Sequence, residues 1–357
     1  MKIVKGNSPY IHRKSSVKRM MSDVLIALIP VAVFSIIQYG LDAVKILGIS
    51  IVTMLASELV YVFIVNQDPY DGNKKTFKER IKTAKDKASI NNILAPLISA
   101  IIYAMIMPAG AKWYYIFIGS FSGMVFGKLL FGGLGANIFN PAALGRIITV
   151  VCFGGKMQYT NPLINGTFDA IASGTPLGVI ATDATVYNFE SIKNLLFGFI
   201  PGSIGEICKI AIIIGFIYLI IRKSADFRPT LGMLGSFTVL IVIAAIAKHE
   251  NVLTFSLYHL LSGGLLFGAC FMVTDPITSP VTRPGRFTFG ICVGVITALI
   301  RLLGAYPEGV AFAILLSNML VPVIDYYKWS TNKYSYKHAI LWGSIMIASG
   351  VVIFFAV

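Results

Sequence analysis

Eleven apolar runs divide the chain, near 22–39, 43–65, 91–107, 114–131, 139–153, 203–221, 231–247, 253–273, 287–304, 308–327 and 339–357. Most have the length, about 17–25 residues, that lets an α-helix cross the hydrocarbon core of a bilayer. Inside lipid every backbone N–H and C=O must be satisfied within the protein, so only helices or a closed barrel can span it. The runs lack the alternation of barrel strands. The expected fold is therefore an all-α integral membrane protein, a polytopic bundle of about 10–11 transmembrane helices. Composition agrees. Hydrophobic residues make up 56% and charged residues 13%, where a soluble domain carries about 25% charged residues. An ordinary soluble enzyme and a disordered chain are both excluded.

The net charge of +14 would suit nucleic-acid binding were it not for where the basic residues fall. If the runs alternate in direction, one side collects the 1–21 tail and the loops 66–90, 222–230, 274–286 and 328–338. These five segments hold 21 of the 30 lysines and arginines. The opposite loops hold five: Lys45, Lys112, Lys156, Lys193 and Lys248. Such an excess marks the cytoplasmic side of a membrane protein, so the N-terminus is expected in the cytoplasm of a cell (inner) membrane protein, with the lipid bilayer and no nucleic acid as partner. The four cysteines show neither CxxC nor Cys/His spacing and read as small buried hydrophobes, not metal ligands.

The spacing predicts five parts. A tail spans 1–21, a first transmembrane half 22–153, a long outer loop 154–202, a second half 203–327, and a loop with an added span 328–357. Long loops in compact proteins are commonly functional. Five spans in each half would set the halves in opposite senses, an arrangement common in transporters.

Four segments break the apolar pattern with polar or helix-breaking residues. FGGLGANIFNPAALGR at 131–146 offers Asn137 and Asn140 in a glycine-rich setting, where the backbone can approach a ligand closely; capping of the helix begun by Pro141 is the competing reading. TDPITSPVTRPGR at 274–286 offers Thr274, Asp275 and Thr278, with prolines that exclude a continuous helix. Both lie on the expected cytoplasmic side, which favours a shared site. FIPGSIGE at 199–206 and GAYPEGVAF at 304–312 place Glu206 and Glu308 near helix starts, where acids are favoured. Within spans, Glu58 and Asp325 are acids whose burial is costly unless they are paired, which makes them functional candidates. Arg301 reads as a side chain snorkelling toward the surface, and His259 as an interhelical hydrogen-bonding residue.

Taken together, SPYIH (8–12), GGLGANIFNPA (132–142), PGSIGE (201–206), HLLSGG (259–264), TDPITSP (274–280) and YPEGVAFAILLSNMLVPVIDYY (306–327) resemble the D subunit of the Rnf complex, an ion-translocating ferredoxin:NAD oxidoreductase. The B subunit of the Na⁺-translocating NADH:quinone reductase is related to it. The resemblance implies FMN attached covalently to Thr175 by a flavin-attaching transferase, within Asp169-Ala170-Ile171-Ala172-Ser173-Gly174-Thr175, so that Asp169, Ser173 and Gly174 belong to the same cofactor site. Ala172 and Gly174 depart from the serine and alanine usual in the family's pattern. The resemblance also implies a noncovalent riboflavin, placed near Asn137, Asn140, Thr274, Asp275 and Thr278. It further implies other Rnf subunits as partners and Na⁺ or H⁺ as the ion moved. Glu58, Asp275 and Asp325 are the ion-linked candidates, since carboxylates suit a hard cation, and neither a catalytic residue nor a metal ligand is expected in the chain itself. The short tail and the Thr175-Pro176-Leu177 ending favour the D subunit over the B-type one. A flavin-free transporter or channel for a small solute is the rival reading from a different class, and a membrane scaffold for other subunits is a third. No P-loop, G-x-G-x-x-G unit or Fe–S cysteine spacing is present, so ferredoxin and NAD sites are expected on other chains.

Overall fold

The computed structural model describes residues 16–65, 89–157, 159, 189–304 and 309–357, and among them the regular structure is helical. In chain order the helices are α1 (Val17–Tyr39), α2 (Leu41–Val65), α3 (Asn91–Met105), α4 (Trp113–Gly127), α5 (Pro141–Phe153), α6 (Phe189–Phe197), α7 (Lys209–Arg222), α8 (Phe227–Ala247), α9 (Val252–Leu261), α10 (Leu265–Met272), α11 (Arg283–Leu303), α12 (Val310–Ile324) and α13 (Tyr336–Ala356). Large apolar side chains cover the outside, among them Ile221 at 73% and Phe355 at 82% exposure. A soluble monomer rarely presents so much continuous apolar surface. With lipid as the solvent it costs nothing.

Six helical stretches, α1, α2, α8, α11, α13 and α4 with the turn that carries it on to Phe131, are long and apolar enough to cross a membrane, and a seventh span arises if α9 and α10, bent by 63° at their break, are one. The apolar runs near 91–107, 139–153, 203–221 and 308–327 form shorter helices, α3, α5, α7 and α12. The shortening has a local cause. Residues 203–206, which the 203–221 run assigns to a helix, form a turn instead, bridged at Ser203 to Pro108 and docked on the end of α3 and the residues just after it. The Ile204 N–H donates to the Met107 carbonyl at 3.0 Å and the Gly205 N–H to that of Met105 at 2.7 Å. Irregular backbone survives inside a membrane protein only where protein partners satisfy it, and here two broken segments satisfy each other. α1 supports the junction: the hydroxyl of Ser35 donates to the Ile204 carbonyl at 2.6 Å.

Helix pairing recurs along the chain. α2 packs on α3 and α4, and α4 on α5; later α8 packs on α9 and α11, and α11 on α12. α1 lies along α7, and α5 meets α12. Association between apolar helices in lipid depends on close van der Waals fit, which small residues permit. Gly119, Gly123 and Gly127 form such a stripe on α4, where a Cβ at Gly123 would come within 2.5 Å of the Pro141 carbonyl oxygen. On the α8–α11 crossing, a Cβ at Gly290 would sit 2.2 Å from the Pro229 carbonyl. Gly290→Ala is therefore expected to lower stability by about 1–3 kcal/mol through overpacking, read as a lower thermal midpoint in detergent. Gly235→Ala, whose Cβ would meet nothing within 4 Å, serves as the neutral control. α13 corresponds to the added apolar run. It begins at an N-cap, Ser335, and rests on α11 through the Trp342 Nε1–H, which donates to Thr288 Oγ1 at 2.8 Å.

Candidate functional site

The two polar breaks meet. Beyond α4 the chain turns through Gly132, Gly133 and Gly135, all with positive φ, a conformation glycine adopts without a Cβ penalty. It enters α5 at Asn140, whose Oδ1 accepts from the Ala142 and Ala143 N–H groups at 3.0 and 3.2 Å. The capping reading of Asn140 is thus correct, and Pro141 follows in the position that needs no N–H. The second break begins where α10 ends in a π-helical turn, Gly268–Met272, a form that recurs at functional sites. Thr274 bonds back to the Cys270 carbonyl at 2.8 Å. Asp275 accepts from the Ile277 N–H at 3.2 Å and the Thr278 hydroxyl at 2.9 Å.

Asn318 on α12 joins the breaks. With its amide oriented by the hydrogen-bond network, it donates to the Thr278 carbonyl at 3.2 Å and accepts from the Asn140 N–H at 3.1 Å. Between them lies a cavity of about 350 Å³ whose lining includes Asn137, Asn140, Thr274 and Asp275. Thr278 does not line it but fixes Asp275. Val24, Ile98, Ile102 and Phe271 supply apolar walls. A volume of this order, apolar with a few convergent polar groups, is that of a small-molecule site. Burial pushes the Asp275 carboxyl above the usual carboxylate range, opposed by its bonds from Ile277 and Thr278.

A lysine completes the cavity wall. Lys128, just beyond the end of α4, is buried and its Nζ donates to Glu58 Oε2 at 2.9 Å; the other oxygen, Oε1, accepts from Asn92 Nδ2 at 3.0 Å. Glu58 is 0% exposed, so it does not reach the surface as its place two turns from the helix end would allow. Asp325 is elsewhere. It holds the far part of the second break, accepting from the Val281 N–H at 2.9 Å. The three ion-linked candidates therefore do not form one cluster.

At the opposite end of the bundle, a second cavity of about 240 Å³ is lined by Arg146, Tyr159, Glu206 and Gly264 among apolar residues. Arg146 Nη2 donates to the Tyr159 hydroxyl at 3.0 Å. Glu206 is buried against Gly264, and Cys208, not the glutamate, occupies the N-cap of α7. Arg301 does not snorkel. It is buried, donates to the His259 carbonyl at 2.6 Å and lies over the Phe237 ring. Asp169, Ser173, Gly174 and Thr175, and also Glu308, lie outside the described residues. Lys128, Asn92 and Asn318 were the site residues that motif reading missed. Lys128 and Asn318 left a signal, each a strongly polar side chain inside an apolar run, 114–131 and 308–327.

A helical membrane bundle with a polar-edged cavity between two broken segments defines a class of cofactor- or ion-handling membrane proteins. The chain belongs to the NQR2, RnfD, RnfE family, whose model matches residues 4–333. It is 32% identical over 328 residues to the D subunit of the proton-translocating ferredoxin:NAD(+) oxidoreductase complex of Clostridium ljungdahlii, covering 90% of this chain and 92% of that one. With the D subunit of the Na(+)-translocating ferredoxin:NAD(+) oxidoreductase complex of Acetobacterium woodii it shares 31% over 325 residues, again 90% and 92% of the two chains. With the B subunit of the Na(+)-translocating NADH-quinone reductase of Chromohalobacter salexigens it shares 35% over 242 residues, 66% and 58% of the two.

Proposed function

We propose that the chain is the D subunit of an Rnf complex, an ion-translocating ferredoxin:NAD⁺ oxidoreductase, and that it relays electrons across the membrane while the complex moves Na⁺ or H⁺. The observation that carries the reading is the convergence of both polar breaks on one cavity. Riboflavin is the ligand assigned to that cavity, and FMN held by a phosphoester to Thr175 is assigned to the opposite side. Bound flavins supply redox chemistry that aliphatic helices lack.

The chain's own residues do the rest. Apolar walls exclude water from the cavity, and Asn137 and Thr274 orient a polar edge. Lys128 presents a buried ammonium there, which favours negative charge in the cavity, and Glu58 holds that ammonium in place. A negative charge arriving in the cavity competes with Glu58 for Lys128 and leaves the carboxylate free to take a cation, which makes Glu58 the best supported ion-linked group. Asp275 and Asp325 are the other candidates. The second cavity supports the outer site, because Tyr159 on its wall stands where the chain enters the segment that carries Thr175.

The basic-residue asymmetry supports a cytoplasmic N-terminus, and a count of five spans in each half supports two halves of opposite sense. The other Rnf subunits, the flavin-attaching transferase and the bilayer are the partners. The likeness to the quinone-reductase subunit favours one alternative, a B-type role with the same flavins.

Release of flavin on denaturation tests the inner site. Wild-type chain releases one noncovalent flavin. Asn137→Leu and Thr274→Val each weaken its retention about tenfold, the effect of one lost buried polar contact, while covalent flavin stays constant. Unchanged release from both variants would remove the flavin from this cavity.

A further inference from the structure

Beside the inner cavity, and sharing Met20, Ser224, Ala225, Thr274 and Pro276 with its wall, the same end of the bundle holds an open basin of about 1090 Å³. Six basic side chains line it: Arg19, Arg222, Lys223, Arg228, Arg283 and Arg286. One carboxylate, Asp226, faces them, which leaves an excess of five positive charges. Neutralisation within the protein is partial. Asp226 takes Arg228 at 2.9 Å and Arg286 at 2.7 Å, and Asp23 takes Arg222 at 3.1 Å. Among the described residues, Arg19, Lys223 and Arg283 have no carboxylate partner. First-turn residues of α8 and α11 also line the basin, so two 21-residue helices add the positive ends of their dipoles.

The rim has the opposite character. Ile221, Phe227 and Val281 stand exposed on it, Val281 at 77%. A cationic bowl with an apolar edge, at the end of membrane-crossing helices, matches an amphiphile. An acidic soluble protein offers the charge but nothing for the rim. Aromatic side chains on the adjoining 326–336 segment, which contributes Asn332 to the basin, put it at interface depth.

Lys223 adds an independent observation. It closes α7 in the left-handed conformation, φ +56°. That position ordinarily takes glycine, because a Cβ is disfavoured there. A lysine keeps a cation at the basin despite that preference, although the C-terminal dipole also welcomes it.

We propose that this basin is a binding site for one anionic phospholipid, its phosphate among Arg19, Lys223 and Arg283 and its acyl chains against Ile221, Phe227 and Val281. Basic pockets between membrane helices take anionic headgroups, with each cation contributing roughly a fivefold gain in affinity. The assignment is independent of the flavin reading.

Native mass spectrometry of the full chain, titrated with phosphatidylglycerol or phosphatidylcholine in detergent, tests it. One phosphatidylglycerol is expected to bind at least tenfold more tightly than phosphatidylcholine, and more weakly as salt rises. The triple variant Arg19→Gln, Lys223→Gln, Arg283→Gln loses about 100-fold. Lys223→Gly separates binding from folding. It relieves the left-handed lysine, so the thermal midpoint holds or rises while lipid affinity falls about fivefold. Equal binding of the two lipids, or an unaffected triple variant, overturns the proposal. So does full competition by millimolar inorganic phosphate, which would make the basin a free-phosphate site. A triple variant that keeps its lipid but loses the other subunits would assign the basin to an acidic protein segment, and overturns it equally.

Discussion

The Thr175→Ala chain is expected to run as a dark band on a denaturing gel under ultraviolet light, where the wild-type band fluoresces, in a host that supplies the flavin-attaching transferase. A phosphoester needs a side-chain hydroxyl, and alanine removes the only one at that position. The signal should fall to background, the largest change any single substitution makes here. Ser173 is the neighbouring hydroxyl, so Ser173→Ala belongs beside it and should stay bright. Equal brightness of Thr175→Ala and wild type would move the acceptor elsewhere. A dark wild type would mean that Ala172 and Gly174 spoil recognition by the transferase, and the pump reading would then lean on family membership and the inner cavity.

The second large effect concerns the ion pair at the cavity wall. Glu58→Ala leaves the Lys128 ammonium buried without its carboxylate, a change that costs about 3–5 kcal/mol. The double variant Glu58→Leu, Lys128→Met removes both charges, and such apolar replacements recover most of the loss or all of it. Thermal unfolding in detergent should therefore rank wild type and double variant close together, with Glu58→Ala well below. Ion transport should not follow that ranking. The double variant is expected to keep its covalent flavin yet lose transport, because the pair's charge is gone while the packing is restored. Restored transport in the double variant would reduce the pair to a structural element. Equal losses of transport and covalent flavin in every variant would point to folding alone.

Much of the architecture could be read from local properties. Run length and apolar continuity identify membrane helices because every residue of a span meets the same solvent. Gly132 to Pro141 and Thr274 to Pro284 announce breaks because glycine, proline and small polar residues disfavour a continuous helix wherever they occur. The spans themselves were less legible. The run near 203–221 reads as one span, yet its first residues form a turn docked on the end of α3, and mean hydropathy over a run does not distinguish a helix from a turn held by protein partners. Arg301 shows the same limit, since snorkelling and burial over the Phe237 ring share one sequence.

The site divides along the same line. That Asn137, Asn140, Thr274 and Asp275 carry polar atoms near helix breaks is a matter of residue type and neighbours, and it could be read without coordinates. That they face one cavity depends on Asn318, which bridges two segments far apart in the chain. Glu58 and Lys128 are likewise 70 residues apart. A costly buried charge is a local fact about each of them. The identity of its partner is set by how α2 and α4 pack, and packing is a property of the folded chain that no window of sequence contains.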